Sequence, residues 1–219
     1  MLTASTLIDQ AMQAGGNTRI STWCLAQLNL ILRQVYRTYS WPFLHTMYTS
    51  LATVASQAYT DYSALTDFWK PLTIQLLTYG STTQLNDVRP LKGGLSAYYA
   101  DTSRLLSSGR PSHYVLDRSN SYIRWADSIP NAVETIHLFY QKEVADITLT
   151  DTPALLTYTR NAERYLYLRL LQEVKLYMKD FAEAAAMGPL IKLAEDEMMA
   201  ERRDDEDETP VPNGNGVYA

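Results

Sequence analysis

Residues 28–44 read LNLILRQVYRTYSWPFL and contain the sharpest structural boundary in the sequence. Apolar residues before Tyr39 recur at steps of three and four, which is the spacing of one face of an α-helix. Pro42 then disfavours the helical conformation for Trp41, because the proline ring collides with the preceding backbone. We therefore predict that the helix ends at Tyr39, and that Trp41, Pro42 and Phe43 anchor a junction between two structural modules.

The N-terminal region is predicted to be helical. A capping box begins at Thr6, with Thr3 as an alternative start, and Gly15-Gly16 ends this first helix. Asn17 can cap a second helix, whose apolar positions repeat at steps of four, four, three, four and four: Ile20, Cys24, Leu28, Ile31, Val35 and Tyr39. This repeat predicts an amphipathic helix of about five turns.

From His45 to about Val144 the period of the apolar residues changes to two, which is typical of half-buried strands. Ser119-Asn120 has the composition of a hairpin turn. The predicted strands cover residues 47–54, 72–77, 114–118, 121–125 and 133–140, and a short helix is predicted at 95–106. Together they predict a small antiparallel β-domain of about five or six strands.

Helical periodicity returns after residues 151–153, which offer a capping threonine and a proline suited to the first helical position. The apolar positions of this long helix have the same spacing as the second helix, so the two are expected to pack together: Leu166, Leu170, Val174, Tyr177, Phe181 and Ala185. Gly188 and Pro189 should break the helix. A further helical piece should cover residues 190–202.

The predicted fold class is α+β: a helical bundle of N- and C-terminal helices, interrupted by a small antiparallel β-domain and followed by an extended C-terminal segment. Residues 1–43 and 151–203 form the discontinuous helical domain, 44–150 form the β-domain insert, and 204–219 form a flexible tail. No apolar run approaches the roughly 20 residues needed to span a bilayer, so a soluble protein made in the cytoplasm is expected.

Negative charge is concentrated near the C-terminus. Nine acidic and two basic residues lie between Glu195 and Glu208, a segment of net charge −7 in a chain of net charge −5, which leaves +2 elsewhere. No basic face for nucleic acid is therefore predicted. We expect the segment after Gly188 and Pro189 to be mobile in the free subunit and to order on a basic partner surface. Its candidate contact residues are Glu195, Asp196, Glu197, Val211, Val217 and Tyr218.

The sequence contains no recognisable catalytic or metal-binding pattern. His45, His113 and His137 lack the spacing of metal ligands, and Cys24 lies on an apolar helix face. Residues 94–98 (GLSAY) begin like a nucleophile elbow but lack its final glycine. No Walker loop, GxGxxG or HExxH motif occurs. We therefore predict no catalytic residue, no metal and no cofactor.

Several sequence blocks, taken in order, resemble the head-to-tail adaptor (connector) proteins of tailed bacteriophages. The blocks are LRQVYRTYSWPFL at 32–44, AY at 58–59 with DFWKPL at 67–72, GRPSHY at 109–114, AVET at 132–135 with LFY at 138–140, and DTPALL at 151–156. The family tends to have a proline before the Asp-Phe pair, where this chain has SALT at 63–66, so the local turn is expected to differ.

The resemblance implies a structural virion protein without enzymatic activity. It implies a ring of identical subunits, commonly a dodecamer, that binds the portal protein in the neck between capsid and tail. The helical domain would form the ring wall and the C-terminal segment would reach the portal. Downstream neck or tail proteins would bind below, and genomic DNA would pass through the channel only as cargo. A nearly neutral body suits this role, because phosphate contacts would retain the DNA.

Other classes remain open. One alternative is another neck or tail-completion protein, which would differ from an adaptor only in the site at which its ring binds the virion. A DNA-packaging factor would need a basic recognition helix, and the arginines at 33 and 37 or at 160, 164 and 169 are too sparse to make one. An enzyme is the least favoured class, since no catalytic motif is present.

Overall fold

A computed structural model describes residues 2–77, 84–100 and 107–208, with side chains described as far as residue 201. The chain divides into two compact units. The helical unit combines the residues up to Tyr39 with those from Ala145 onward, and the sheet unit consists of Ser40–Val144. The predicted α+β class is confirmed. Of the predicted tail, only residues 204–208 are described.

The helices are α1 (Ala4–Gly15), α2 (Ser21–Thr38), α3 (Gly94–Ala100), α4 (Ala154–Tyr158), α5 (Ala162–Tyr177), α6 (Phe181–Ala186) and α7 (Gly188–Glu208). All of them except α3 belong to the helical unit. α5 is its central element, because α1, α2, α6 and α7 all contact it. The contact between α2 and α5 confirms the predicted packing of the second helix against the long C-terminal one.

The two N-terminal helices follow their predicted signals closely. Thr3, the alternative start, caps α1, and its hydroxyl accepts a hydrogen bond from the amide N–H of Thr6. Gly16 follows the helix with a φ of 78°, a left-handed conformation that glycine adopts without steric cost. Gly15 lies so close to α5 that an added β-carbon would collide with Val174.

α2 ends one residue before Tyr39, so the predicted stop ahead of Trp41 is confirmed. Ile20 occupies the N-cap position that was assigned to Asn17, whose side-chain oxygen instead accepts a hydrogen bond from the N–H of Arg19. The predicted apolar face is buried at four of its positions: Cys24, Leu28, Ile31 and Val35.

The long C-terminal helix predicted through Ala185 is wrong, because three helices occupy that stretch. Pro153 lies at the N-cap of α4, not at its first helical position, and α4 ends before the extended residue Thr159. α5 ends at Tyr177, and Lys179 has a left-handed φ of 63° that interrupts the helical backbone. The predicted repeat therefore stays buried only through Val174.

A helix boundary lies at the predicted break, since α6 ends at Ala186 and α7 begins at Gly188. Pro189 follows as the second residue of α7, where a missing N–H leaves no intrahelical bond unmade. α7 continues to Glu208, beyond the end predicted near Arg202.

The strands are β1 (His45–Ala52), β2 (Tyr59–Asp61), β3 (Phe68–Leu77), β4 (Leu85–Pro90), β5 (Ser108–Gly109), β6 (His113–Asp117), β7 (Tyr122–Trp125), β8 (Ile129–Pro130) and β9 (Thr135–Lys142). Seven of them form one sheet in the order β1-β9-β3-β4-β6-β7-β2, and β5 pairs with β8. Most pairs are antiparallel, but β4–β6 and β5–β8 are parallel. The predicted antiparallel β-domain is therefore confirmed, with these two short parallel pairs as exceptions.

The sheet encloses the core of its unit. This core includes one wholly buried tryptophan, Trp125, and aliphatic side chains from β3, β7 and β9: Ile74, Leu76, Ile123, Ile136 and Leu138. The predicted helix at 95–106 is described as α3 up to Ala100, and residues 101–106 lie outside the described part of the chain. Ser121, with a φ of 56°, takes the left-handed position that was predicted for Asn120.

Among the described residues, no helix is both long enough and apolar enough to cross a membrane.

Candidate interaction surfaces

An apolar surface lies where α5 meets α6. It consists of five side chains, which we call the corner surface: Trp23, Leu176, Tyr177, Met178 and Phe181. Phe181 is 64% exposed, and Tyr177 is 50% exposed although its ring lies 4.8 Å from that of Trp23. A group of large apolar side chains exposed near one another is a candidate site of protein contact.

The backbone and charges of the turn hold the corner surface in place. Asp180 caps α6 by accepting a hydrogen bond from the N–H of Glu183. The Lys175 ammonium lies 3.8 Å from the Asp180 carboxylate and 2.5 Å from that of Glu183. The hydrogen bond to Glu183 raises the pKa of Lys175. The turn that exposes Phe181 is thus a defined structure with its own cap and ion pairs.

Sequence reasoning missed the corner surface because it treated Tyr177 and Phe181 as part of one buried face. A signal was present, since Asp180 followed three residues later by Glu183 is a helix-start pattern. The repeat of apolar residues at helical spacing concealed it. Apolar spacing alone does not distinguish a continuous core face from a face interrupted by a turn.

The acidic side chains of α7 engage their own unit. Glu197 forms an ion pair of 2.8 Å with Arg164, and the Glu201 carboxylate accepts hydrogen bonds from the N–H groups of residues 160 and 161. Glu195 accepts a hydrogen bond of 2.6 Å from the Tyr39 hydroxyl. This bond is the first cause of a Tyr39 pKa raised to about 12. Asp196 lies 2.9 Å from Lys192 in an exposed pair.

The described part of the segment after Pro189, which was expected to be mobile in the free subunit, is a helix that packs on its own unit. Three residues of α7 are buried in the helical unit: Ile191, Ala194 and Met198. Basic partners on α5 and within α7 offset the mutual repulsion of the carboxylates. Val211, Val217 and Tyr218 lie outside the described residues.

The model of the SU10 adaptor protein family matches residues 2–216 of the 219-residue chain. The chain belongs to this family. The resemblance to phage head-to-tail adaptors is thereby confirmed, and family membership indicates a structural component of the virion at the head–tail junction, with a non-enzymatic role. No curated protein matches the chain.

One polar cluster of the adaptor contains the three residue types of a hydrolase triad. The Asp127 carboxylate accepts hydrogen bonds from the Ser112 hydroxyl and from the N–H groups of Ser112 and His113. Burial would raise the pKa of Asp127, but these hydrogen bonds hold it below its usual value. In a triad the histidine lies between serine and carboxylate. Here the Ser112 hydroxyl lies 3.0 Å from His113 Nδ1 but also bonds the Asp127 carboxylate directly. Because two backbone N–H groups bond the same carboxylate, the cluster holds the start of β6 in place.

The predicted junction residues of the adaptor lie next to one another at the start of the sheet unit. Trp41 is fully buried, and its ring lies 5.9 Å from that of the half-buried Phe43. Pro42 begins a single 3-10 turn that leads into β1. Their role as anchors of a junction stays a prediction. Among the described residues, no cluster of ligand side chains suited to a metal ion occurs.

Proposed function

We propose that this adaptor assembles as a ring of identical subunits beneath the portal protein, with twelve subunits as is common among the phage adaptors that it resembles. The ring extends the DNA channel and provides the platform on which the tail attaches. The single observation that supports assembly is the corner surface, whose apolar side chains project from a capped and ion-paired turn. Subunit contacts in stable oligomers bury such side chains against a neighbouring copy.

Charge supports the proposed channel. The residues outside 195–208 carry a net charge of only +2, and their lysine and arginine residues do not form a cluster in the sequence. Duplex DNA is held by lysine and arginine contacts to its phosphates. A subunit whose body is nearly neutral offers few such contacts, so genomic DNA passes as cargo without being retained.

We assign the portal contact to the acidic part of α7, from Glu195 onward, and to the residues that follow the helix. Asp196 is the most accessible of the three described candidates, with its side chain 62% exposed, whereas Glu195 and Glu197 already bond Tyr39 and Arg164. Val211, Val217 and Tyr218 complete the proposed contact. Downstream neck or tail proteins would bind the opposite end of the ring, after synthesis of the subunit in the cytoplasm of the host bacterium.

Native mass spectrometry of the full chain, alone and with purified portal protein, tests the proposal. We expect a large ring, formed either spontaneously or on the portal. Phe181→Ser should weaken assembly at least about tenfold, because a polar side chain removes apolar area from the subunit contact. Val133→Ser is the matched control, since Val133 is 57% exposed and belongs to the sheet unit.

Two results would contradict the proposal. A chain that remains monomeric both alone and on portals excludes the ring. Assembly that is equally strong for the Phe181 and Val133 variants excludes the corner surface as the subunit contact. A ring that binds tail components but not the portal would favour the alternative, a neck or tail-completion protein elsewhere in the virion.

A further inference from the structure

The two edges of the seven-stranded sheet differ. β2, at one edge, has three residues and ends in the charged residue Asp61. β1, at the other edge, has eight residues and pairs only with β9. Between Thr46 and Ser50, no described strand or side chain bonds the outer side of β1. A hydroxyl of β2 reaches only the last residue of β1, where Thr60 donates to the carbonyl of Ala52.

β1 lacks the residues that usually protect a strand edge. Its sequence, HTMYTSLA, contains no lysine, arginine, acidic residue or proline. Natural sheets discourage unwanted pairing with short edge strands, charges and prolines. β2 shows two of these features, its short length and its terminal aspartate. The long, uncharged edge of β1 is therefore suited to pairing with another extended chain.

Apolar side chains lie beside this edge. Met47 is 62% exposed, and it is directly opposite Phe139, which is 38% exposed, across the β1–β9 pair. Directly opposed residues of an antiparallel pair lie on the same face of the sheet. A strand added to β1 would thus find an apolar contact for one of its alternate side chains.

We propose that the outer edge of β1 binds an extended segment of a tail-side virion protein by strand addition. An antiparallel strand directs the N–H and C=O groups of every second residue to the same edge. An extended backbone presents donors and acceptors at the matching spacing. The segment would span about five residues, would be uncharged, and would place an apolar side chain over Met47 and Phe139.

The identity of this partner rests on the proposed function. Pairing the same edge of two copies requires a two-fold axis, whereas neighbours in a cyclic ring are related only by rotation about the ring axis. The other sheet edge, β2, is too short to cover Thr46–Ser50 on a neighbouring copy. Because the portal contact is assigned to α7, the tail side is the remaining protein neighbour of the ring.

Thr49→Pro is the decisive variant. Thr49 and Ser50 lie at an irregularity of the ladder and have no register partner on β9, so a proline at position 49 replaces no member of a registered β1–β9 pair. It removes one N–H from the strand. We expect normal assembly on portals but at least about tenfold weaker binding of purified tails. Thr49→Ala is the matched control and should bind tails like the unmodified chain.

Ser50→Lys provides a second test if the proline lowers the thermal midpoint. It keeps the backbone N–H and places a charge on an exposed edge position, a change that sheet edges tolerate in folded proteins. It should also weaken tail binding. In the unmodified chain, amide exchange of residues 46–50 should slow when tails are added to adaptor–portal complexes.

Three outcomes would overturn the inference. Tail binding that is unchanged in both variants excludes the β1 edge. Exchange that slows on ring formation alone assigns the edge to a neighbouring copy, and a chain ending at Glu208 then tests whether residues 209–219 supply the strand. Exchange that slows on portal binding alone assigns it to the portal. Failure of the unmodified chain to form a ring contradicts the proposed function, and it is distinguished from failure of the β1 inference because no variant is needed to observe it.

Discussion

The helical unit and the sheet unit present different chemical groups to their surroundings. The helical unit exposes side chains at its corner surface, where Phe181 and Tyr177 project from a capped turn. The sheet unit exposes backbone at the outer edge of β1, a strand without lysine, arginine, acidic residues or proline. Side-chain contacts depend on shape and volume, whereas strand addition depends on backbone hydrogen bonds.

This difference has a practical consequence for mutagenesis. Single substitutions to small or polar residues should disrupt contacts of the helical unit. The β1 edge should tolerate most such substitutions and should respond to proline or to added charge. The same comparison applies to stability, because each unit has its own buried side chains that can be truncated and its own buried tyrosine whose ionisation can be followed.

Removal of α7 should have the largest effect. A chain ending at Pro189 loses the buried side chains of Ile191 and Met198, each worth roughly 1.5–3 kcal/mol. We expect the free energy of unfolding to fall by about 3–6 kcal/mol, measured by urea denaturation. A chain ending at Glu201 keeps these contacts and should have an unchanged midpoint. Equal midpoints for the two truncations would show that α7 does not stabilise the helical unit.

Trp41→Ala is the corresponding change in the sheet unit. Trp41 is fully buried, and truncation of such a side chain typically costs roughly 3–5 kcal/mol. The exposed residue Val54 provides the control, because Val54→Ala should change the free energy of unfolding by less than about 0.5 kcal/mol. A denaturation midpoint for Trp41→Ala that equals the control's is the result that excludes an anchoring role.

Gly15→Ala should destabilise the helical unit by about 1–3 kcal/mol, because the new methyl group collides with Val174. Alanine favours helices over glycine, so propensity alone predicts the opposite sign. Gly188→Ala is the control, since a β-carbon there has no neighbour within 4 Å. Adding Val174→Ala should recover part of the loss in a double-mutant cycle. If Val174→Ala recovers none of the lost stability, the Gly15→Ala methyl group is not destabilising through contact with Val174.

Alkaline pH should have the smallest effect, and it should act on both units. Burial is the first cause that raises the pKa of Tyr36 in the helical unit and of Tyr140 in the sheet unit, each to about 12. The folded pKa exceeds the unfolded value of 10.0, so the associated stability is complete below pH 10 and is lost as pH rises toward 12. Tyr140→Phe should reduce this loss, measured by denaturation at each pH. If the stability of Tyr140→Phe depends on pH in the same way as that of the unmodified chain, Tyr140 does not contribute to the alkaline loss of stability.

The sequence predicted most of the helical unit because its signals are local. Thr3, Gly16 and the repeat through Val35 each act within a few residues, and all three correspond to observed features. The prediction of one long helix failed first at Thr159, where α4 ends, and again at Lys179, whose left-handed backbone has no strong sequence signal in a residue other than glycine. Continuing the repeat across that turn hid the exposure of Phe181.

The sheet unit was predicted less completely because strand pairing is not local. The strands at 72–77 and 114–118 follow from alternation, but nothing near β4 reveals that it pairs in parallel with β6. β2, β5 and β8 have only two or three residues each, too few for a periodic pattern. Of the two proposed contact sites, the acidic segment that contains Asp196 could be recognised from the sequence by its charge. The β1 edge could not, because only the strand order shows that β1 lies at the edge of the sheet.

The strand order also bears on synthesis of the protein. β9 lies between β1 and β3 and pairs with both, yet of the described strands it is the last to leave the ribosome. Until residues 135–142 emerge, β1 and β3 have no partner at that position, and long-range pairing of this kind is slow. The nascent chain therefore carries unpaired apolar strands for much of its translation, which makes this adaptor a candidate client for bacterial chaperones that shield newly made chains.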